Sequence, residues 1–154
     1  MIENKHFKWS HLSRMQLGKY GEYFTKMEFT KAGLDVYTAE VDNKGIDFVV
    51  RKNENEYFDI QAKSVRNYNY IFVRKDFFQP RKNLLLVVAL FKNTEQPTIL
   101  LIPSLDWIEQ KHKFLTSRDY NNLKSRPEWG VNIKVGDLQE FIDHYSFDRQ
   151  VENL

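Results

Sequence analysis

Three side chains in two neighbouring segments have the types that metal-assisted hydrolysis needs. The first segment is Gly45-Ile46-Asp47-Phe48-Val49-Val50 and the second is Asp59-Ile60-Gln61-Ala62-Lys63. The polar stretch from Arg51 to Glu56 between them is of the kind that turns one strand back on its neighbour. Such a hairpin sets an acid beside an amide and a lysine. A hard divalent cation needs oxygen ligands and open positions for water, and a nearby ammonium helps orient the attacking water or offset charge in the transition state. Asp47 supplies a carboxylate, Gln61 a neutral amide oxygen, and Ala62 a main-chain carbonyl. Strand alternation puts Asp59, Gln61 and Lys63 on one face, with Phe58, Ile60 and Ala62 on the other. Glu22 is a second candidate carboxylate if its helix crosses the sheet near Asp47.

The elements that must hold these groups follow from hydrophobic period. From Ser13 to Ala32 the residues Met15, Leu17, Tyr20, Phe24, Met27 and Ala32 recur at roughly helical spacing. Ser13 with Gln16 reads as a capping box and Gly33 as a stop. Gly18 and Gly21 inside this helix each cost about 1 kcal/mol relative to alanine, which suggests close packing. Strands are predicted over 35–40, 46–51, 57–65 and 68–75, then a short turn or loop containing Pro80. The continuously apolar run over 84–92 suits a buried central strand, and another strand follows over 98–102. A helix capped by Ser104, a polar irregular stretch to about 134 and a closing helix over 137–149 complete the chain. The order predicts a single α/β domain over 1–154, with a core over about 13–104 and a helical region over about 105–154.

These residues resemble the PD-(D/E)XK nuclease superfamily: Glu22 on an opening helix, Gly-Ile-Asp47 on a strand, Gln61-Ala-Lys63 on the next. The pattern is most similar to Mrr-type restriction endonucleases, which carry Gln-x-Lys in the last motif. It also resembles archaeal Holliday-junction resolvases, where Lys-Ser and a strand like Tyr70-Ile71-Phe72-Val73-Arg74-Lys75 follow. The likeness covers roughly Gly18 to Leu101. It implies a restriction-endonuclease-like fold with a mixed central β-sheet flanked by helices, and an Mg²⁺-dependent endonuclease, with Mn²⁺ as a substitute, hydrolysing DNA phosphodiester bonds. Asp47 is then the principal metal ligand, and Gln61 stands where most relatives have an acid. Lys63 is the catalytic lysine, and Glu22 a carboxylate that binds metal or orients its water. A homodimer is implied, since cutting both strands of a duplex usually takes two sites. Two departures stand out: Gly-Ile replaces the proline that often precedes the aspartate, and the segment after Lys75 is shorter than the usual helix between the last core strands.

A basic and aromatic stretch follows the motif. Arg66, Arg74, Lys75, Arg81 and Lys82 are interleaved with Tyr68, Tyr70, Phe72, Phe77 and Phe78. Cations pair with phosphates and aromatics stack on exposed bases, so the five cations are the candidate DNA contacts. Alternating aromatics such as Tyr70 and Phe72 are more often core. RNA and branched DNA stay open as substrates. The alternative reading is a nuclease-fold module that binds nucleic acid or protein without catalysis, and Gln61 in place of an acid is what keeps it alive.

Bulk properties set outer bounds. At 154 residues there is room for one domain with its own core and not for two ordinary ones. A hydrophobic content of 42% with 29% charged residues fits a globular chain rather than a disordered one. A net charge of +2 gives no bulk basicity, so a polyanion would be held by local clusters. Cysteine is absent, which excludes disulfides and thiolate metal sites. The first residues lack an apolar signal-peptide core, and the longest apolar run, Leu84 to Phe91, is too short for a membrane span. A cytoplasmic protein is expected. The histidines have no ligand spacing, and Trp9, Trp107 and Trp129 read as packing residues.

Overall fold

Ser13 opens the first helix as the sequence predicts. Its hydroxyl accepts from the Gln16 N–H, and the Gln16 side chain accepts from the Ser13 N–H, satisfying two otherwise orphaned donors. The computed structural model describes residues 5–41, 44–67, 69–121, 123–133 and 135–154. In it α1 (Arg14–Lys31) ends before Gly33, whose φ of +92° takes the chain out of the helix. The buried face of α1 is Leu17, Gly21, Thr25 and Phe29, whereas Met15 and Met27, expected inside, are 87% and 58% exposed. The helix is turned this way because Gly21 lets it settle on the sheet. A Cβ there would lie 1.9 Å from Ser64 Oγ and 3.4 Å from Ala89 Cβ.

Gly21→Ala therefore gains about 1 kcal/mol of helix propensity but overpacks the contact by about 1–3 kcal/mol. A lowered melting temperature is expected, partly restored by adding Ser64→Ala; an unchanged or raised one in Gly21→Ala contradicts the packing.

The central sheet has five strands: β1 (Asp35–Thr38), β2 (Phe48–Arg51), β3 (Tyr57–Arg66), β5 (Leu84–Phe91) and β6 (Thr98–Pro103), in spatial order β1-β2-β3-β5-β6. All neighbours are antiparallel except β3 and β5, which run parallel. A parallel pair requires a crossover, commonly a helix. Here the crossover carries β4 (Ile71–Arg74), which leaves the central sheet and joins a second one of order β4-β8-β7. The strands β7 (Leu115–Arg118) and β8 (Glu128–Val131) lie in the stretch expected to be irregular, so the chain beyond 105 is not uniformly helical. The helix after Ser104 is only one turn, α2 (Leu105–Ile108). The closing helix is two, α3 (Leu138–Tyr145) and α4 (Phe147–Val151), because Ser146 is extended (φ −54°, ψ 140°) and bridges to Leu100.

A mixed central sheet flanked by helices is thus the architecture, as the restriction-endonuclease-like expectation had it. Each face of the sheet has its own core. Ile60, Leu85, Val87, Ala89 and Leu101 pack against Leu17 and Phe29 of α1 and Phe147 of α4. On the other face Leu86, Val88, Leu90 and Ile102 meet Ile71 and Val73 of β4, Trp107 of α2, and Phe141 and Tyr145 of α3. This double cover explains why every residue of β5 is buried. Among the described residues, no helix is long and apolar enough to cross a membrane.

Candidate metal centre and adjoining cleft

The β2–β3 ladder stops just short of Asp47. The ladder pairs Phe48 with Ile60, and the Asp47 N–H still donates to the Ile60 carbonyl at 2.9 Å. One residue further the strands part, and the Asp47 carboxylate itself accepts from the Ala62 N–H at 2.6 Å. Beyond this point β3 continues to Arg66 paired with β5. Main-chain groups of a strand alternate between its neighbours. The Asp59 N–H points to the β5 side, where it donates to the Asn83 carbonyl; the Ala62 N–H, and with it the Ala62 carbonyl, points to the opened β2 side. The carboxylate and this carbonyl therefore share one splayed edge.

Gln61 stands one residue past the last ladder pair, Phe48 with Ile60, as Asp47 does on the other side of the opening. Its amide oxygen is shielded from solvent and takes no hydrogen bond among the described residues. A buried acceptor left unpaired costs about 1–3 kcal/mol, so native proteins rarely keep one without a use for it. A hard cation is a partner of the right kind, because an amide oxygen, a carboxylate and a carbonyl are all oxygen donors. The residues present fit a divalent ion. Among the described residues no group of three His, Cys, Asp or Glu side chains could hold a metal, so any site here has to use the amide and the carbonyl.

Gly45 aims Asp47. Its φ is +73°, and a Cβ would lie 2.9 Å from Phe77 Cβ, so the loop before Asp47 is pressed against the β4–β5 connection. Lys63 follows Gln61 on the same face and lines a cleft of about 570 Å³ between the start of α1, the end of β3 and the start of β4. It has no carboxylate within ion-pair distance among the described residues, which leaves its ammonium available to a phosphate. Glu22 lies on α1, paired with Lys26 at 2.9 Å and Lys19 at 3.6 Å. The Lys26 ammonium is 5.5 Å from the centre of the Phe48 ring, next to Asp47, so this pair flanks the site from the helix side.

The cations expected to meet DNA are largely engaged within the protein. Arg66 donates to the carbonyls of Trp9 and Leu12, tying the N-terminal segment to β3. Arg74 is paired with Asp76 and lies over Phe77. Lys75 meets Asp119 at 2.7 Å and lies over Trp129, and Arg81 meets Asp59 at 2.7 Å. Lys82 is exposed, with no ion pair among the described residues. Tyr68 lies outside the described residues. Phe78 is buried in the core, whereas Phe72 and Phe77 are 48% and 42% exposed.

Arg118 was not legible as a site residue. Its guanidinium lies 4.3 Å from the centre of the Tyr70 ring, and the Tyr70 hydroxyl donates to buried Glu128. Burial, then the bond to Glu128, pushes the Tyr70 phenol up to about 12, so it stays a neutral donor. No local signal announces this contact, since Arg118 comes from β7, Glu128 from β8 and Tyr70 from the residue just before β4.

No family model matches the chain, and no curated protein matches it. Among solved structures it is similar to Hjc of Archaeoglobus fulgidus, a Holliday junction resolvase from an archaeal hyperthermophile. That likeness has a TM-score of 0.47 and 14% identity, over 80% of this chain and 95% of that one.

Proposed function

We propose that the protein is a metal-dependent endonuclease hydrolysing DNA phosphodiester bonds. The observation that carries this reading is the unpaired Gln61 oxygen one residue from the Ala62 N–H that holds the Asp47 carboxylate at the splayed end of the hairpin. Asp47, Gln61 and the Ala62 carbonyl would hold Mg²⁺ or Mn²⁺, with Glu22 contributing from α1. The ion, when bound, supplies charge stabilisation at the phosphate and lowers the pKa of water. The Ala62 N–H holds the Asp47 carboxylate at the splayed edge. Lys63 orients the attacking water or helps take its proton, and Lys82 and the rim of the basic run meet flanking phosphates. Two chains acting as a homodimer would present a site to each strand of a duplex.

One observation favours a second reading, a nuclease-fold module that binds without cutting: the donor set has a single acid at its centre, with no cluster of three acidic or histidine ligands among the described residues. Incubation with linear, supercoiled, single-stranded and four-way-junction DNA, and with RNA, in Mg²⁺, Mn²⁺ or EDTA separates the two. Metal-dependent cleavage is expected, reduced by about 10²-fold or more in Lys63→Ala, the range for loss of a positioned acid–base group. Binding without cleavage, unaltered in Lys63→Ala, supports the module instead.

A further inference from the structure

The cleft that begins at Lys63 ends on a small aromatic ladder. Phe72 and Tyr70 both line it, their rings 6.1 Å apart and within 19° of parallel. Arg118 lies 4.3 Å from the centre of the Tyr70 ring, and the Tyr70 hydroxyl donates to Glu128, so the inner member of the ladder is held in place. Its outer member, Phe72, is 48% exposed. Arg14 and Lys63 line the same cleft, so two cations and two aromatic residues border one volume of about 570 Å³.

That combination selects its occupant. Pockets of roughly 300–1,000 Å³ take a small ligand, which matches a nucleotide or two and is far too small for a double helix. An open ring face needs another ring face to stack on. Within a continuous duplex every base face is covered by its neighbours, whereas an unpaired base offers one, and stacking on an aromatic side chain is indifferent to base identity. Arg14 and Lys63 complement the backbone phosphates of such a strand. We propose that this cleft takes an unpaired nucleotide adjoining the scissile phosphate, so that the preferred substrate is DNA with exposed bases, gapped or flapped, rather than continuous duplex. The adjoining scissile phosphate rests on the nuclease reading above; the occupancy of the cleft does not.

The test is fluorescence anisotropy in EDTA, where nothing is cut, with a labelled duplex containing a short single-stranded gap and a continuous duplex of the same length. The gapped DNA is expected to bind more tightly by about 5- to 150-fold, the equivalent of about 1–3 kcal/mol for a stacked base. Phe72→Ala should remove that difference and leave continuous-duplex binding unchanged, and Phe72→Trp should restore it. Phe72 lies on the open side of β4, and a thermal melt of each variant checks that the fold is kept. Equal binding of the two DNAs by the wild type, or equal weakening of both by Phe72→Ala, overturns the proposal. Cleavage in Mg²⁺ is followed in parallel. Metal-dependent cutting without a gap preference sinks the cleft alone, and a gap preference without cutting sinks the catalytic reading alone.

Discussion

Asp47→Asn should reduce metal-dependent cleavage by on the order of 10³-fold, about 4 kcal/mol of transition-state stabilisation, while the protein stays folded. Asparagine is nearly isosteric with aspartate and keeps an oxygen able to accept from the Ala62 N–H, so the 2.6 Å contact that fixes the splay survives. What is lost is the anionic donor at the centre of the oxygen set, and with it most of the attraction for a divalent ion. Asp47→Ala removes both, and additionally strands a main-chain donor at the opened edge. It is expected to be equally inactive but less stable by about 1–3 kcal/mol. The comparison of the two by thermal melt and by single-turnover cleavage separates the ligand role from the structural one. Activity in Asp47→Asn close to that of the wild type would place the ion elsewhere.

Gln61 carries the second large effect, and its sign is unusual. A buried amide oxygen without a partner is a local cost to the metal-free protein, one that an apolar side chain of similar size does not incur. Gln61→Leu should therefore stabilise the metal-free protein by about 1 kcal/mol. It should also abolish the stabilisation that metal gives the wild type, which is about 2.7 kcal/mol when the ion is at about 100 times its Kd. Gln61→Glu acts in the opposite direction. A second carboxylate beside Asp47 repels it in the metal-free protein and lowers stability, yet binds a divalent ion more tightly. Melting curves in EDTA and in saturating Mn²⁺ read all four quantities. If Gln61→Leu lowers metal-free stability, the amide has a hydrogen-bonding role that its position in the hairpin does not suggest.

The residues of the hairpin were legible because their signal is local. A strand with Ile60 and Ala62 on one face and Asp59, Gln61 and Lys63 on the other declares its orientation through a period of two, whatever surrounds it. The capping box at Ser13 is local in the same way. The orientation of α1 was not, because hydrophobicity marked the wrong stripe. The contact face is set by the small residue Gly21 over Ser64 and Ala89, and Met15 and Met27 turn outward. The strands β7 and β8 are each four residues long, too short to show a period, and they form because β8 pairs with the edge of β4 and β7 with β8. The break at Ser146 likewise comes from its bridge to Leu100.

The basic run shows the same limit from the side of function. Arg81 with Asp59 and Lys75 with Asp119 are partners 22 and 44 residues apart, so the sequence shows the cations without what neutralises them. Conversely, Arg118 sits in a stretch with no visible pattern and becomes informative only when β7 brings it over Tyr70. Arg14, one turn before Leu17, reads as an ordinary solvated cation until the fold places it in one cleft with Lys63 and Phe72.

Asp47, Gln61 and the Ala62 carbonyl are proposed to form a divalent-cation site, and direct Mn²⁺ binding tests this without reference to any substrate. Titration followed by electron paramagnetic resonance of free Mn²⁺ should show a single site per chain in the wild type, weakened severely in Asp47→Asn and Gln61→Leu and strengthened in Gln61→Glu. A wild-type isotherm with no saturable binding, or one that neither Asp47→Asn nor Gln61→Leu alters, would contradict such a site.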